Sequence, residues 1–75
     1  MPSINALHTK FCPKKSLSNF WRSIDYLSAS KAVHSLGAIP RTPSPGGTTV
    51  HPLVAAAFIR WADPDKFYER LRDLL

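Results

Sequence analysis

The sequence predicts a mostly α fold, a small bundle of four to five short helices with a helix-turn-helix and at most a minimal β element near Thr48–Val50. Three observations predict it. Leu53-Val54-Ala55-Ala56-Ala57-Phe58-Ile59-Arg60-Trp61 is the most apolar stretch of the chain, broken only by Arg60. A helix apolar on nearly every side is one that others pack around. Leu17, Phe20, Trp21, Ile24 and Leu27 form a one-sided stripe at helical spacing,. Asp63-Pro64-Asp65 supplies a helix restart, with Asp as N-cap, Pro at the first helical position and an acid in the first turn,.

The elements follow in order. Asn5 is the expected cap of a first helix running from Ala6 to about Cys12 and stopped by Pro13, with Leu7 and Phe11 facing inward and Cys12 beside them,. Lys14-Lys15 connects it to the next helix, for which Ser16 is the expected N-cap. That helix carries the Leu17–Leu27 stripe, and Ser28-Ala29-Ser30 offers a break and a fresh cap,. A further helix over Lys31–Leu36 presents Ala32, Val33 and Leu36 inward, and Gly37 stands where a C′ glycine ends it,. Ile39 to Gly47 holds Pro40, Pro43, Pro45 and two glycines, which predicts an irregular loop rather than helix or strand,. Gly46-Gly47 permits a sharp turn, Thr48–Val50 suits a short strand, and Pro52 opens the apolar helix, which ends near Ala62,. The last helix, Pro64 to Leu75, places Phe67, Leu71 and Leu74 on one face, with Tyr68 and Leu75 beside them.

Seventy-five residues make a single domain, divided into a basic helical half (1–41), a Pro/Gly loop (42–49) and a core helix plus C-terminal helix (50–75). A chain of this length buries only about 60–65% of its unfolded surface. Self-association is therefore expected to cover a leftover apolar face. One cysteine, Cys12, excludes an internal disulfide and fits a reducing compartment,. No apolar run reaches the roughly 18–20 residues of a membrane span, and the first residues lack the pattern of a secretory signal,. A cytoplasmic, non-membrane protein is expected.

Charge is strongly polarised. Residues 1–41 hold six basic side chains against Asp25 alone, a net +5, while residues 42–75 hold four bases and four acids. Such an asymmetry attracts phosphate backbones, anionic lipid or an acidic protein, and it also serves simply as a solvated face.

Other residues invite sharper chemistry and carry a structural alternative. His8 and Cys12 are four apart, the spacing of a thiol–imidazole pair or half a metal site, yet no second pair with ligand spacing exists,. His51, before Pro52, either meets an anion at the helix mouth or orients the strand–helix junction. Trp21 and Trp61 offer faces for base stacking, but both sit on apolar stripes where core packing is commoner,. Arg60 either pairs with an acid such as Asp63 or Glu69, or stands exposed for a partner. Neither a phosphate-cradling Gly-rich loop nor a catalytic Ser/His/Asp or paired-carboxylate arrangement is present. No enzyme, cofactor or metal is expected.

The chain resembles a shortened KilA-N domain, a module of phages and large DNA viruses related to the fungal APSES DNA-binding domain. Ile4-Asn5-Ala6 followed by Thr9-Lys10-Phe11-Cys12 matches the family's opening segment with two extra residues, and Asn19-Phe20-Trp21-Arg22 matches its Trp-and-base helix. Leu36-Gly37-Ala38-Ile39-Pro40 matches a Gly-Ile-Pro-like turn. Most specific are Gly46-Gly47-Thr48-Thr49-Val50-His51-Pro52 and, beyond the apolar helix, Arg60-Trp61-Ala62-Asp63-Pro64-Asp65-Lys66-Phe67. The chain departs from the pattern in lacking the initial strands, in a shortened loop before the Gly-Gly element and in Thr49 where Trp is usual. The resemblance implies a helix-turn-helix-type DNA-binding protein of phage or viral kind. Together with the charge split it assigns Lys10, Lys14, Lys15, Arg22, Lys31 and Arg41 to phosphates, with Asn19 and Arg22 placed for base edges. The alternatives are a small phage protein that binds and modulates a host protein or complex, and an accessory subunit of a large assembly.

Overall fold

The computed structural model describes residues 2–74, apart from the side chain of Leu74. The expected inward roles of Leu74 and Leu75 lie outside the described residues. The described residues form five α-helices and a two-stranded antiparallel sheet: α1 (Ile4–Phe11), α2 (Leu17–Trp21), α3 (Ile24–Ser35), β1 (Arg41–Ser44), β2 (Gly47–Val50), α4 (Pro52–Ala62) and α5 (Phe67–Leu74). A 3-10 turn over Pro64–Lys66 links the last two helices.

The central position of α4 is as its composition requires. Val54, Ala55, Phe58 and Ile59 are wholly inaccessible, and α1, α3 and α5 all pack on this helix. His51 caps it, its Nδ1 accepting the Leu53 N–H at 3.1 Å, and Pro52 fills the first helical position, where no N–H is needed,. His51 therefore works at the strand–helix junction.

α1 begins earlier than expected. Its cap is Ser3, whose Oγ accepts from the Ala6 N–H, and Asn5 lies inside the helix. The cause is tertiary. Ile4 and Leu7 are both buried, so the helix must already be turning at residue 4 to bring them to one face,. Asn5 Oδ1 instead accepts the Thr48 N–H at 2.9 Å, joining α1 to β2.

The break between the middle helices also moves. It falls at Arg22-Ser23, not at Ser28-Ala29-Ser30, which stays helical within α3. Ser23 Oγ donates to the Phe20 carbonyl at 2.7 Å and accepts the Tyr26 N–H at 3.2 Å, so one hydroxyl closes α2 and opens α3. Serine inside a helix costs only about half a kcal/mol relative to alanine, so the later serines force no break. The earlier break rotates α3. Tyr26 and Val33 are buried, whereas Ile24 (78%) and Leu27 (55%), expected in the core stripe, are exposed. Ala32 and Leu36, also expected inward, are exposed as well. Gly37 ends α3 as anticipated, at φ +74°, with its N–H on His34 O and the Ala38 N–H on Val33 O, a Schellman closure,.

The expected Pro-rich loop is a hairpin. Arg41 pairs with Val50, Thr42 with Thr49, Pro43 with Thr48 and Ser44 with Gly47 around a Pro45-Gly46 turn in which Gly46 takes φ +82°,. Pro43 is tolerated because hydrogen-bonded and open pairs alternate along an antiparallel ladder. The partner positions show which are open: the Thr48 and Val50 N–H groups point away from β1, toward Asn5 Oδ1 and the Pro2 carbonyl. The residue opposite Thr48 thus needs no ladder N–H. The outer edge of β2 is covered in turn by Pro2 and Ser3, the latter bridging Thr49.

The C-terminal restart at Asp63-Pro64 gives a 3-10 turn before α5 forms, and Asp63 makes no side-chain capping bond. Phe67 and Leu71 are half-buried, but Tyr68 is exposed rather than inward. The radius of gyration, 11.4 Å, equals the roughly 11 Å of a compact chain of this length. The five helices and β2 contribute to one core, to which β1 adds no side chain.

Candidate nucleic-acid interface

The basic half is built around aromatic rings. Phe20, fully buried, is the hub. Its ring centroid lies 5.2 Å from Trp21, 5.5 Å from Tyr26, 5.2 Å from Phe58 and 5.5 Å from Trp61, mostly in tilted or edge-to-face geometry. Such pairs add about 0.5–1.5 kcal/mol each beyond their buried area. Both tryptophans are half-buried, so each keeps an accessible part.

Two expected phosphate-contact residues are held on this cluster. The Arg41 guanidinium sits 4.3 Å from the Trp21 centroid and 5.4 Å from that of Tyr26. Lys15 Nζ sits 5.1 Å from the Trp61 centroid and donates to the Trp61 carbonyl at 3.4 Å, near the C-terminal, negative end of α4,. Both side chains remain exposed. Arg22 directly follows Trp21 and Lys14 directly precedes Lys15, and both are exposed. Asn19 is exposed on α2. Lys10 is exposed at the end of α1, 5.1 Å from the Phe11 centroid, and the Arg70 guanidinium lies 5.4 Å from the same ring.

Lys31 is placed elsewhere. It lines a depression on the outer side of α3 with Ile24, Leu27 and His34, turned away from Tyr26 and therefore from Arg41,. The α3 helix follows α2 after the break at Arg22-Ser23. Its outward face carries Ile24, Leu27, Lys31 and His34, more apolar than basic.

His8 is engaged with the Lys15 carbonyl through Nε2 and stands edge-on to Phe58, which fixes the α1–α2 connection and with it Lys14 and Lys15. Cys12 is buried at the end of α1. Among the described residues no three His, Cys, Asp or Glu side chains converge. Arg60 is exposed, its guanidinium 5.5 Å from the Phe67 centroid.

Sequence reasoning placed the bases but not their supports. The Arg41–Trp21 and Lys15–Trp61 contacts join residues 20 and 46 apart, and nothing in local spacing announces them. The Asn5–Thr48 bond is of the same kind. It links the two segments richest in motif residues, and a Cβ on Gly47 would collide with the Asn5 amide. The break at Ser23 did carry a local signal, a capping serine followed two residues later by Asp25,. No helix among the described residues is long and apolar enough to cross a membrane. Compared with known proteins, the chain matches no family model, no curated relative and no solved structure.

Proposed function

We propose that this protein is a small, non-enzymatic DNA-binding module of phage or viral type, acting in the cytoplasm of an infected or host cell. It grips the phosphate backbone through Lys10, Lys14, Lys15, Arg22 and Arg41, with Asn19 and Arg22 nearest any base edge. The observation that carries the reading is the pairing of Arg41 with Trp21 and of Lys15 with Trp61 on one aromatic cluster. The cation–π contact biases each cation toward the cluster while leaving it exposed, which lowers the side-chain freedom to be lost on meeting a phosphate. The polarised +5 charge and the resemblance to KilA-N domains point the same way. The apolar outer face of α3 argues for backbone contact rather than a recognition helix seated in the major groove.

The test is binding to a mixed-sequence DNA duplex across a salt titration. Five phosphate contacts give a log–log slope of about −4.5, and removing three of them by the combined change Lys14→Ala, Lys15→Ala and Arg22→Ala flattens it to about −2. Absence of binding at low salt refutes the proposal.

A further inference from the structure

The early break at Ser23 leaves an apolar surface that the basic cluster does not use. Between α3 and α4 runs a groove of about 320 Å³ lined by the small side chains Ala29, Ala32, Ala56 and Ala57, with Ile24 and Leu53 beside them. Ile24 is 78% exposed and Leu53 42%. The groove shares Ile24 and Ser28 with the depression on the outer side of α3 that Leu27, Lys31 and His34 line. Small side chains allow another helix to approach closely, and the large exposed ones supply apolar area for it to cover.

We infer that this face docks an amphipathic helix of a partner protein, with its apolar side in the groove and acidic residues along its flanks. Charge selects that occupant. The groups facing the surface are Arg60 on α4, Lys31 and His34 on α3, and a single acid, Asp25. Basic groups outnumber acids, so flanking carboxylates are matched and flanking amines are not. A second copy of this chain is disfavoured by the same count. Two-fold packing of α3 on α3 brings Lys31 toward its own equivalent, between molecules that each carry +5,.

The probe is a fluorescein-labelled 18-residue peptide with leucines at i, i+3, i+4 and i+7 and glutamates on both flanks, titrated into the full chain and read by anisotropy. Saturable binding is expected, weakened about tenfold or more by Leu27→Glu or Ile24→Glu, the loss of one central apolar anchor. Because Ile24 and Leu27 are exposed, both variants keep the parental thermal midpoint within a few degrees. The double change Arg60→Glu and Lys31→Glu reverses preference toward a lysine-flanked version of the peptide. Equal binding of acidic and basic peptides overturns the inference, as does competition of the peptide by duplex DNA. So does a dimer in light scattering that Leu27→Glu dissolves, since the occupant is then a second copy. DNA binding of the Leu27→Glu variant stays at parental strength whichever way the peptide behaves.

Discussion

Gly47 shows how tightly single residues are specified here. Its φ of +153° lies where L side chains are strained, and the space a Cβ would need is filled by the Asn5 amide. Gly47→Ala is expected to cost about 2 kcal/mol, combining backbone strain with displacement of the Asn5 amide from its bond to the Thr48 N–H,. Chemical denaturation measures it. In an Asn5→Ala background the collision is relieved and only the strain remains, so the two changes are expected to be non-additive by at least about 0.5 kcal/mol. His51 is the other sharply defined residue. Its Nδ1 acceptor caps α4, so His51→Ala loses about 1 kcal/mol, while His51→Asn, which keeps a capping acceptor, loses much less,. Equal losses in the two variants would refute the capping role. Phe20 touches four other rings, and Phe20→Ala is expected to cost about 3–5 kcal/mol,. That is a large share of a whole stability of about 5–15 kcal/mol, so circular dichroism of that variant should show a thermal midpoint lowered by more than about 10 °C.

At the scale of elements, one hydroxyl decides where the helix-turn-helix bends. Ser23 accepts from Tyr26 and donates to Phe20, so Ser23→Ala removes both bonds and is expected to lose about 1–2 kcal/mol,. Hydrogen exchange would then rise first at the start of α3. The stripe from Leu17 to Leu27 reads as one helix because periodicity counts residues and cannot see a two-residue interruption that resets the phase. After the reset, Tyr26 and Val33 take the inner positions and Ile24 and Leu27 the outer ones. The hairpin was obscured for a different reason. Prolines count against a strand, yet Pro43 occupies an open pair whose N–H would face away from the ladder,. Only the partner's hydrogen bonds reveal that register.

For the whole molecule, the +5 charge is a property of half the chain, but its presentation depends on the packed core. Phe20 holds Trp21 and Trp61 in one cluster, and these carry Arg41 and Lys15. Arg41→Ala is therefore expected to weaken DNA binding several-fold with less than about 1 kcal/mol lost in stability, the usual worth of an exposed cation–π contact. Arg41→Lys keeps the charge but not the planar stacking group, so it should retain the salt slope and only part of the affinity. The α3–α4 groove is lined by none of Lys15, Trp21, Arg41 and Trp61, so the two proposed contacts can be tested separately by mutation.

Composition and local pattern determined the mostly helical class, the apolar α4 as the centre, the glycine stop at Gly37, the Asp63-Pro64 restart and the concentration of positive charge in residues 1–41. These rest on near-neighbour effects: burial of one helical face, fixed φ at proline, positive φ at glycine. The tertiary structure alone decided that Asn5 bonds Thr48 instead of capping α1, that Ile24 and Leu27 face outward, and that Lys31 parts company with Lys15 and Arg41. Each of these turns on contacts between distant residues or on helix phase after a break, and a buried position is claimed by whichever side chain the packed neighbours leave room for.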